Sequence, residues 1–393
     1  MRYLTRKIEK IIKRSSKTFK IVFLGGPRQV GKTTTLKRLS EKMRMDYVTL
    51  DDLDLRELAN SDPKLFLQQY KAPTIIDEVQ YAPKLFPQIK KIVDESDLSG
   101  RFWLTGSQQF SLIKNIQESL AGRVAILNIL GLSQNEKKES KKNIDKPKIR
   151  RLFKDIFVGG FPVFQSRNAP DREVYFNSYI QTYLDRDLSG IFGINKTTEF
   201  NRFIQVCAAR TGQVLNISDL ARDCGISPVT ATEWLNILEN TMQIYLLKPF
   251  YPNITKRIIK APKLYFLDTG LASYLTKWNN VESLLSGSMS GAMFETYVVG
   301  EVIKKYISKG VDPPLYYLRD KEGHEVDLVV EDNGLHLLEI KLSANVNLLN
   351  HQGLNYFSGK FAKVVDKTVV SLIENQIITT DGVKYVPYTT FVL

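Results

Sequence analysis

Gly26-Pro27-Arg28-Gln29-Val30-Gly31-Lys32-Thr33-Thr34 constrains this chain more than any other stretch. An apolar run, Ile21-Val22-Phe23-Leu24, precedes it, and residues 34–43 have helical character. Glycines bounding the loop let the backbone fold back so that successive N–H groups converge on one anion. The helix that follows adds its positive N-terminal end. In that setting Lys32 reaches the β and γ phosphates of a nucleotide, and the Thr33 hydroxyl takes a place on Mg²⁺.

Further short apolar strands alternate with helical segments. Residues 47–52 read as a second strand, 53–70 as helix broken near Pro63, and 74–78 as a strand ending in Asp77-Glu78. Asp77 is the candidate for holding Mg²⁺ through water, and Glu78 for orienting or deprotonating the attacking water. Residues 85–97 read as helix and 101–105 as a fourth strand that ends at Gly106-Ser107-Gln108. Ser107 at that end can sit beside the γ phosphate. Residues 109–120 and 124–130 add a helix and a fifth strand. The alternation predicts an α/β fold, a mostly parallel sheet with helices on both faces. Ligands bind such sheets at the C-terminal ends of the strands, where Gly26, Asp77 and Ser107 fall.

At 393 residues the chain has room for two or three domains. Its two cysteines, Cys207 and Cys224, exclude a disulfide scaffold or Cys-rich zinc site and fit a reducing, cytoplasmic setting. No apolar run is long enough for a bilayer, so no membrane is expected. The N-terminus reads as an amphipathic helix with Tyr3, Leu4, Ile8, Ile11 and Ile12 on one side. A formal net charge of +13 favours a polyanionic partner, DNA among them.

Residues 134–151 hold eight Lys and Arg with little apolar content and read as a solvated basic linker. Residues 152–205 form a helical connector in which Tyr175, Phe176, Tyr179 and Tyr183 have core spacing. Residues 206–262 carry a winged helix-turn-helix: helix 217–223, a turn at Cys224-Gly225-Ile226, Ser227 and Pro228 opening a second helix to about 240, then strand 244–248. The first turns of that second helix offer no Lys or Arg for phosphate or guanine. DNA backbone binding and an interdomain or protein contact therefore both stay open.

Residues 263–393 read as a smaller α/β domain. Asp327 lies on one strand, Glu339-Ile340-Lys341 on the next, and Glu295 on helix 291–305. Residues 339 and 341 share a strand face.

The segments 26–33, 75–80, 105–108 and 119–123 together resemble a large family of prokaryotic AAA-type P-loop ATPases that carry a C-terminal domain of unknown function. The resemblance continues at Gly159-Gly160-Phe161-Pro162, Tyr183-Leu184-Asp185-Arg186-Asp187, Ala209-Arg210-Thr211-Gly212 and Phe266-Leu267-Asp268-Thr269-Gly270. It implies ATP and Mg²⁺ as cofactors, an ATPase domain over 1–133, a possible homo-oligomer, and an arginine that stabilises γ-phosphate charge in cis or in trans. Arg123 is the candidate, with Arg28 in the loop the other. The C-terminal residues resemble restriction-endonuclease-like nucleases, in which two carboxylates hold a divalent ion and a lysine activates water; Val326 stands where those enzymes place proline. The functions implied are a DNA-associated ATPase, a nucleotide-dependent protein switch with an inert nuclease fold, or a defence effector with a regulated nuclease.

Overall fold

The computed structural model describes residues 3–41, 43–106, 116, 118–138, 149–183, 197–253, 260–345 and 351–391. Within them, β1 (Ile21–Gly25), β2 (Asp46–Thr49), β3 (Thr74–Asp77), β4 (Phe102–Thr105) and β5 (Val124–Asn128) form a parallel sheet in the order β2-β3-β4-β1-β5. Side chains alternate across the sheet. Ile21, Phe23, Ile76 and Leu104 join a core with Ala59, Phe66, Phe86 and Ile89 of the helices Leu53–Ser61, Pro63–Gln69 and Leu85–Asp94. Val22, Leu24, Ile75 and Trp103 face the other way, onto Leu36 and Leu39 of the helix Lys32–Ser40 and onto Ile8 and Ile12 near the N-terminus. That helix starts at Lys32, two residues earlier than the pattern predicts, because Gly31 at φ 95° supplies the left-handed turn into it.

The second of these cores does not stop at the first domain. It runs on through Phe153, Phe161, Phe176 and Phe203 to Val299, Leu338 and Val370. The junction corrects the linker expectation at its two ends, residues 139–148 lying outside the described residues. Gln134–Lys138 is helical, with Gln134, Glu136 and Lys137 buried, and residues 149–151 open the helix Ile149–Val158. Lys137 is not a solvated charge: its Nζ donates to the Gly159 carbonyl at 2.6 Å. Phe161 sits 5.1 to 5.8 Å from the rings of Tyr175, Phe176 and Tyr179 on the helix Arg172–Tyr183, so these aromatics are core. Arg186 and Asp187 lie outside the described residues.

In the middle of the chain, the helix Thr197–Ala209 leads to β6 (Gln213–Val214) and two helices, Ile217–Cys224 and Pro228–Asn240. Asn216 caps the first, Gly225 at φ 69° closes it, and the Ser227 Oγ accepts from the Thr230 N–H at 3.1 Å to cap the second. β7 (Ile244–Leu247) and β8 (Lys263–Phe266) complete an antiparallel sheet in the order β6-β8-β7. A domain boundary at 262/263 is therefore misplaced: β8 is the central strand of the middle sheet.

The C-terminal sheet has the order β13-β14-β12-β11-β10-β9, from β9 (Leu315–Arg319), β10 (Glu325–Glu331), β11 (Leu335–Ile340), β12 (Val364–Ser371), β13 (Ile377–Ile378) and β14 (Lys384–Pro387). β9, β10 and β11 are antiparallel, while β12 runs parallel to β11. The helix Ser290–Ile307 shares the long core, and Gln352–Ser358 covers a separate core with Leu337 and Val369.

The Gly159-Gly160 turn stitches these units together. The Gly160 carbonyl accepts from the Leu132 N–H at 2.6 Å, and its own N–H donates to Asp268 Oδ2 at 2.7 Å. A Cβ on Gly159 would stand 2.3 Å from Asp268 Oδ1, so the close approach requires glycine there. Asp268 also caps the helix Thr269–Leu275 through the Leu271 N–H.

Candidate functional site

The phosphate loop leaves β1 at its C-terminal end and re-enters as helix at Lys32. Gly26, at φ 143°, lies against the exit of the neighbouring strand β5: a Cβ there would stand 2.1 Å from the Ile129 carbonyl oxygen. The Lys32 ammonium is buried and donates to the carbonyls of Gly26 at 3.0 Å and Pro27 at 2.8 Å. A cation held by neutral carbonyls beside converging N–H groups is arranged for an anion.

Asp77 ends β3 next to this loop. Its Oδ2 accepts from the Thr33 hydroxyl at 2.9 Å and from the Tyr47 phenol at 2.8 Å, and its Oδ1 from the Thr105 hydroxyl. Burial, with the Asp77 carboxylate close by, pushes the Tyr47 phenol well above its usual range. Hydroxyl and carboxylate oxygens facing one another are the hard donors Mg²⁺ takes; Thr33 and Asp77 fit that ion. Glu78 follows at φ 55°, a left-handed turn that moves it off the strand line, and the Gln80 amide donates to its carboxylate.

Lys32, Thr33 and Glu78 border a cleft of about 420 Å³, walled on their side also by Arg28, Gln29 and Thr34, and on the other by Pro162, Val163, Tyr179 and Thr182. A smaller apolar recess of about 120 Å³ adjoins it, lined by Tyr3, Leu4, Val30, Leu132 and Pro162. The far wall of the phosphate cleft thus belongs to the segment after the Gly159-Gly160 turn.

Sequence reasoning misses Arg6. Its guanidinium is buried behind the loop, donating from Nη1 to the Val30 carbonyl at 2.8 Å, from Nη2 to the Leu130 carbonyl at 2.6 Å and from Nε to Glu136 at 3.1 Å. Burial opposes the charge on Glu136, but Arg6 and the N–H groups of Ser133 and Lys7 outweigh it and hold that carboxyl below its usual range. Thr105 and Tyr47 are missed as well; the strand-end pattern points to Ser107, which lies outside the described residues.

In the C-terminal domain the four predicted residues come together. The Ile340 N–H donates to Asp327 Oδ2 at 2.8 Å, and the Lys341 ammonium reaches Glu339 at 2.7 Å and Asp327 at 3.5 Å. Glu295 accepts from the Tyr265 hydroxyl at 2.5 Å. Two unpredicted groups join them, Glu325 and Lys263 of β8. Burial and the neighbouring Asp327 push Glu295 up to about 7 and Glu339 up to about 8. A cavity of about 330 Å³ opens onto Asp327, Glu339 and Lys341.

An AAA domain model matches residues 18–137. Two domains of unknown function, DUF8612 and DUF4143, match 149–282 and 290–391. The uncharacterized proteins Rv2008c of Mycobacterium tuberculosis (strain ATCC 25618 / H37Rv) and Mb2031c of Mycobacterium bovis (strain ATCC BAA-935 / AF2122/97) are each 32% identical over 378 residues, 92% of this chain and 82% of theirs. The chain belongs to their family. Its N-terminal unit is an AAA-type P-loop domain. Among solved structures, the Walker-type ATPase PABY2304 of Pyrococcus abyssi aligns at 15% identity and a TM-score of 0.46, over 68% of this chain and 94% of that one. The RuvB Holliday junction branch migration motor of Thermotoga maritima aligns at 15% identity and 0.32, over 61% and 88%.

Within this AAA domain, Arg123 lies where it cannot touch a phosphate on its own loop. It precedes β5, and its carbonyl accepts from the Ile21 N–H at the start of β1. The loop is at the other end of that strand, roughly 16 Å away at 3.3 Å per residue. The side chain pairs with Asp94, Nη2 to Oδ2 at 3.0 Å, which raises the guanidinium's pKa further. Arg28, by contrast, lines the cleft.

Replacing Arg6 by alanine strands the Glu136 carboxylate in a buried site and frees the back of the loop. Removing one partner of a buried pair typically costs about 3–5 kcal/mol. Arg6→Ala should therefore lower the melting temperature and weaken ATP binding in the fraction that stays folded. Wild-type values for both would contradict the clamp.

Proposed function

We propose that this protein is an Mg²⁺-dependent ATPase whose nucleotide sits between the AAA domain and the segment that follows the Gly159-Gly160 turn. The observation that carries the reading is the convergence of Lys32, Thr33 and Glu78 on one cleft at the strand ends, with Asp77 behind it hydrogen-bonded to Thr33. Lys32 turns from its two carbonyls to the β and γ phosphates. Mg²⁺ supplies charge neutralisation of the phosphates, with Thr33 and Asp77 holding it. Glu78, at the cleft wall, is the base or orienting group for water, and Gln80 sets its carboxylate. The adenine fits the apolar recess beside Tyr3, Leu4 and Leu132. Arg28 is the wall cation best placed to meet phosphate charge in cis; Arg123 is left to its ion pair unless a neighbouring copy presents it to another cleft.

Lys32→Ala should abolish ATP binding, and Glu78→Gln should keep ATP while hydrolysing it slowly, as expected for loss of a group acting in the transition state. The check is phosphate release measured beside equilibrium ATP binding. Turnover by Lys32→Ala at the wild-type rate would remove the assignment, and loss of affinity with unchanged turnover in Glu78→Gln would reassign that residue.

We further infer that the ATPase acts on DNA through its middle unit. Support comes from the net charge of +13 and from the order helix, β6, helix, turn, helix, β7, β8, which is that of a winged helix. The first turn of the second helix offers Val229 and Thr230 and no cation, so contacts fall to the backbone-binding lysines and arginines outside it. Binding carried by phosphate contacts falls steeply with salt. Titration of duplex DNA at rising salt should give a clear negative slope of log affinity; a flat slope, or no binding at low salt, favours a nucleotide-dependent switch acting on proteins.

For the C-terminal cluster, one observation favours the inert reading over a working nuclease in this state. The Lys263 ammonium sits among carboxylates that a divalent ion would otherwise bridge.

A further inference from the structure

Lys263 belongs to one unit and its counter-charges to another. β8, which carries it, is the central strand of the middle sheet, hydrogen-bonded to β6 and β7. The carboxylates come from the C-terminal domain: Glu325 and Asp327 from β10, and Glu295 from the helix Ser290–Ile307. The side chain is only 3% exposed. Its ammonium contacts Glu325, lies 3.4 Å from Glu295 Oε1 and 3.7 Å from Asp327 Oδ1.

The charges are not evenly matched. Glu295, Glu325, Asp327 and Glu339 are four carboxyl groups facing two lysines, Lys263 and Lys341, with Arg319 at 3.7 Å from the second oxygen of Glu325. Burial by itself would lower the pKa of Lys263, but the carboxylates around it outweigh burial and raise it, so the ammonium stays charged. Asp327 is shared: Oδ1 faces Lys263 and Oδ2 faces Lys341. Two of the three Lys263 contacts are longer than the roughly 2.7–2.9 Å of a tight charge-assisted hydrogen bond. One ammonium thus spans a position bounded by three carboxylates from two elements, and a cavity opens beside it.

The docking of the two units is what delivers Lys263 there. Lys248 and Phe250, just past β7, pair with Tyr317 of β9: the Phe250 N–H donates to the Tyr317 carbonyl at 2.7 Å, and the Tyr317 N–H to the Lys248 carbonyl at 3.0 Å. The Tyr317 hydroxyl donates to the Ala261 carbonyl at 2.6 Å, two residues before Lys263. A shift of the middle sheet against β9 would carry β8 and its lysine with it.

We propose that Lys263 is a removable counter-ion: docked, it fills the cation position among Glu295, Glu325 and Asp327 and keeps divalent metal out, and withdrawal of β8 opens that position to Mg²⁺ or Mn²⁺. This names the regulation of the C-terminal cluster and rests on the inert reading of that cluster in the docked state. It does not depend on ATP hydrolysis. In chemical terms one monovalent cation on a tether is exchanged for one free divalent cation, with no covalent step. Mg²⁺ takes oxygen ligands at about 2.0–2.1 Å, so Glu295 and Asp327, now 3.4 and 3.7 Å from the ammonium, close in on the incoming ion. Lys341 remains beside Asp327 and Glu339 in either state.

The experiment is a Mn²⁺ titration of the full-length chain followed by electron paramagnetic resonance of the free ion, without nucleotide. Asp77→Asn is present throughout to silence the AAA-domain ion. Lys263→Met should gain a Mn²⁺ site, Lys263→Arg should not, and Asp327→Asn added to Lys263→Met should remove it. The gain in affinity over Lys263→Arg should be at least about tenfold. A Lys263→Met chain that folds only with Mn²⁺ gives the same support, because the ion restores the missing charge. Equal Mn²⁺ binding with lysine and methionine at 263 would overturn the proposal, since lysine would then not be filling the position. So would a folded Lys263→Met chain that binds no Mn²⁺, or one that stays unfolded in excess Mn²⁺. Because no nucleotide is present, each of these outcomes leaves the ATPase reading to its own test.

Discussion

A loop that binds an anion must leave its N–H groups pointing outward, so its shape has to be held by something other than its own ladder of hydrogen bonds. Here the holding is done from behind. The Ile129 carbonyl is pressed against Gly26, closer than any side chain would allow. Arg6 grips the Val30 and Leu130 carbonyls with a guanidinium that Glu136 orients. Lys32 ties the loop's first two carbonyls. Remove that support and the carboxylates of Asp77 and Glu78, at the end of the neighbouring part of the sheet, have no ordered loop beside them.

The same support joins the AAA domain to the rest of the chain. The short helix that contains Glu136 also places the Gln134 N–H on Glu301, at 2.7 Å, and Glu301 is on the helix that carries Glu295. The Gly159-Gly160 turn links Leu132 and Lys137 to Asp268, and the residues just after it form the far wall of the cleft. On the function proposed above, a nucleotide in this cleft would touch both units, and its γ phosphate would then bias how they dock. That gives a contiguous physical route from phosphate to the C-terminal carboxylates, with β8 and Lys263 along it.

What the sequence makes legible divides along a physical line. The phosphate loop, Asp77 and Glu78 are readable because their chemistry demands local residue types at fixed spacing. The helices Ile217–Cys224 and Pro228–Asn240 and the turn between them are readable through Gly225, Ser227 and Pro228, whose roles as turn and cap are also local. Arg6 is not, because its partners are 24, 124 and 130 residues away and share no pattern with it. Residues 134–138 mislead for a related reason: composition counts Lys137 as solvated, whereas a carbonyl 22 residues on receives it. Lys263 reads as the opening of a new domain because strand pairing with β6 and β7 is invisible in one strand. Arg123 is the instructive case, since a residue that precedes a parallel strand belongs to the end of the sheet opposite the ligand.

The central claim is that nucleotide bound at the phosphate loop is felt across the junction by the middle and C-terminal units. Hydrogen exchange on the full chain, with Glu78→Gln to retain ATP, measures this directly, comparing Mg²⁺-ATP with no nucleotide. Protection should change at the phosphate loop and also at residues 159–162, 263–270 and the helix Ser290–Ile307. Changes confined to the AAA domain, with those three segments exchanging as they do without nucleotide, would contradict the account.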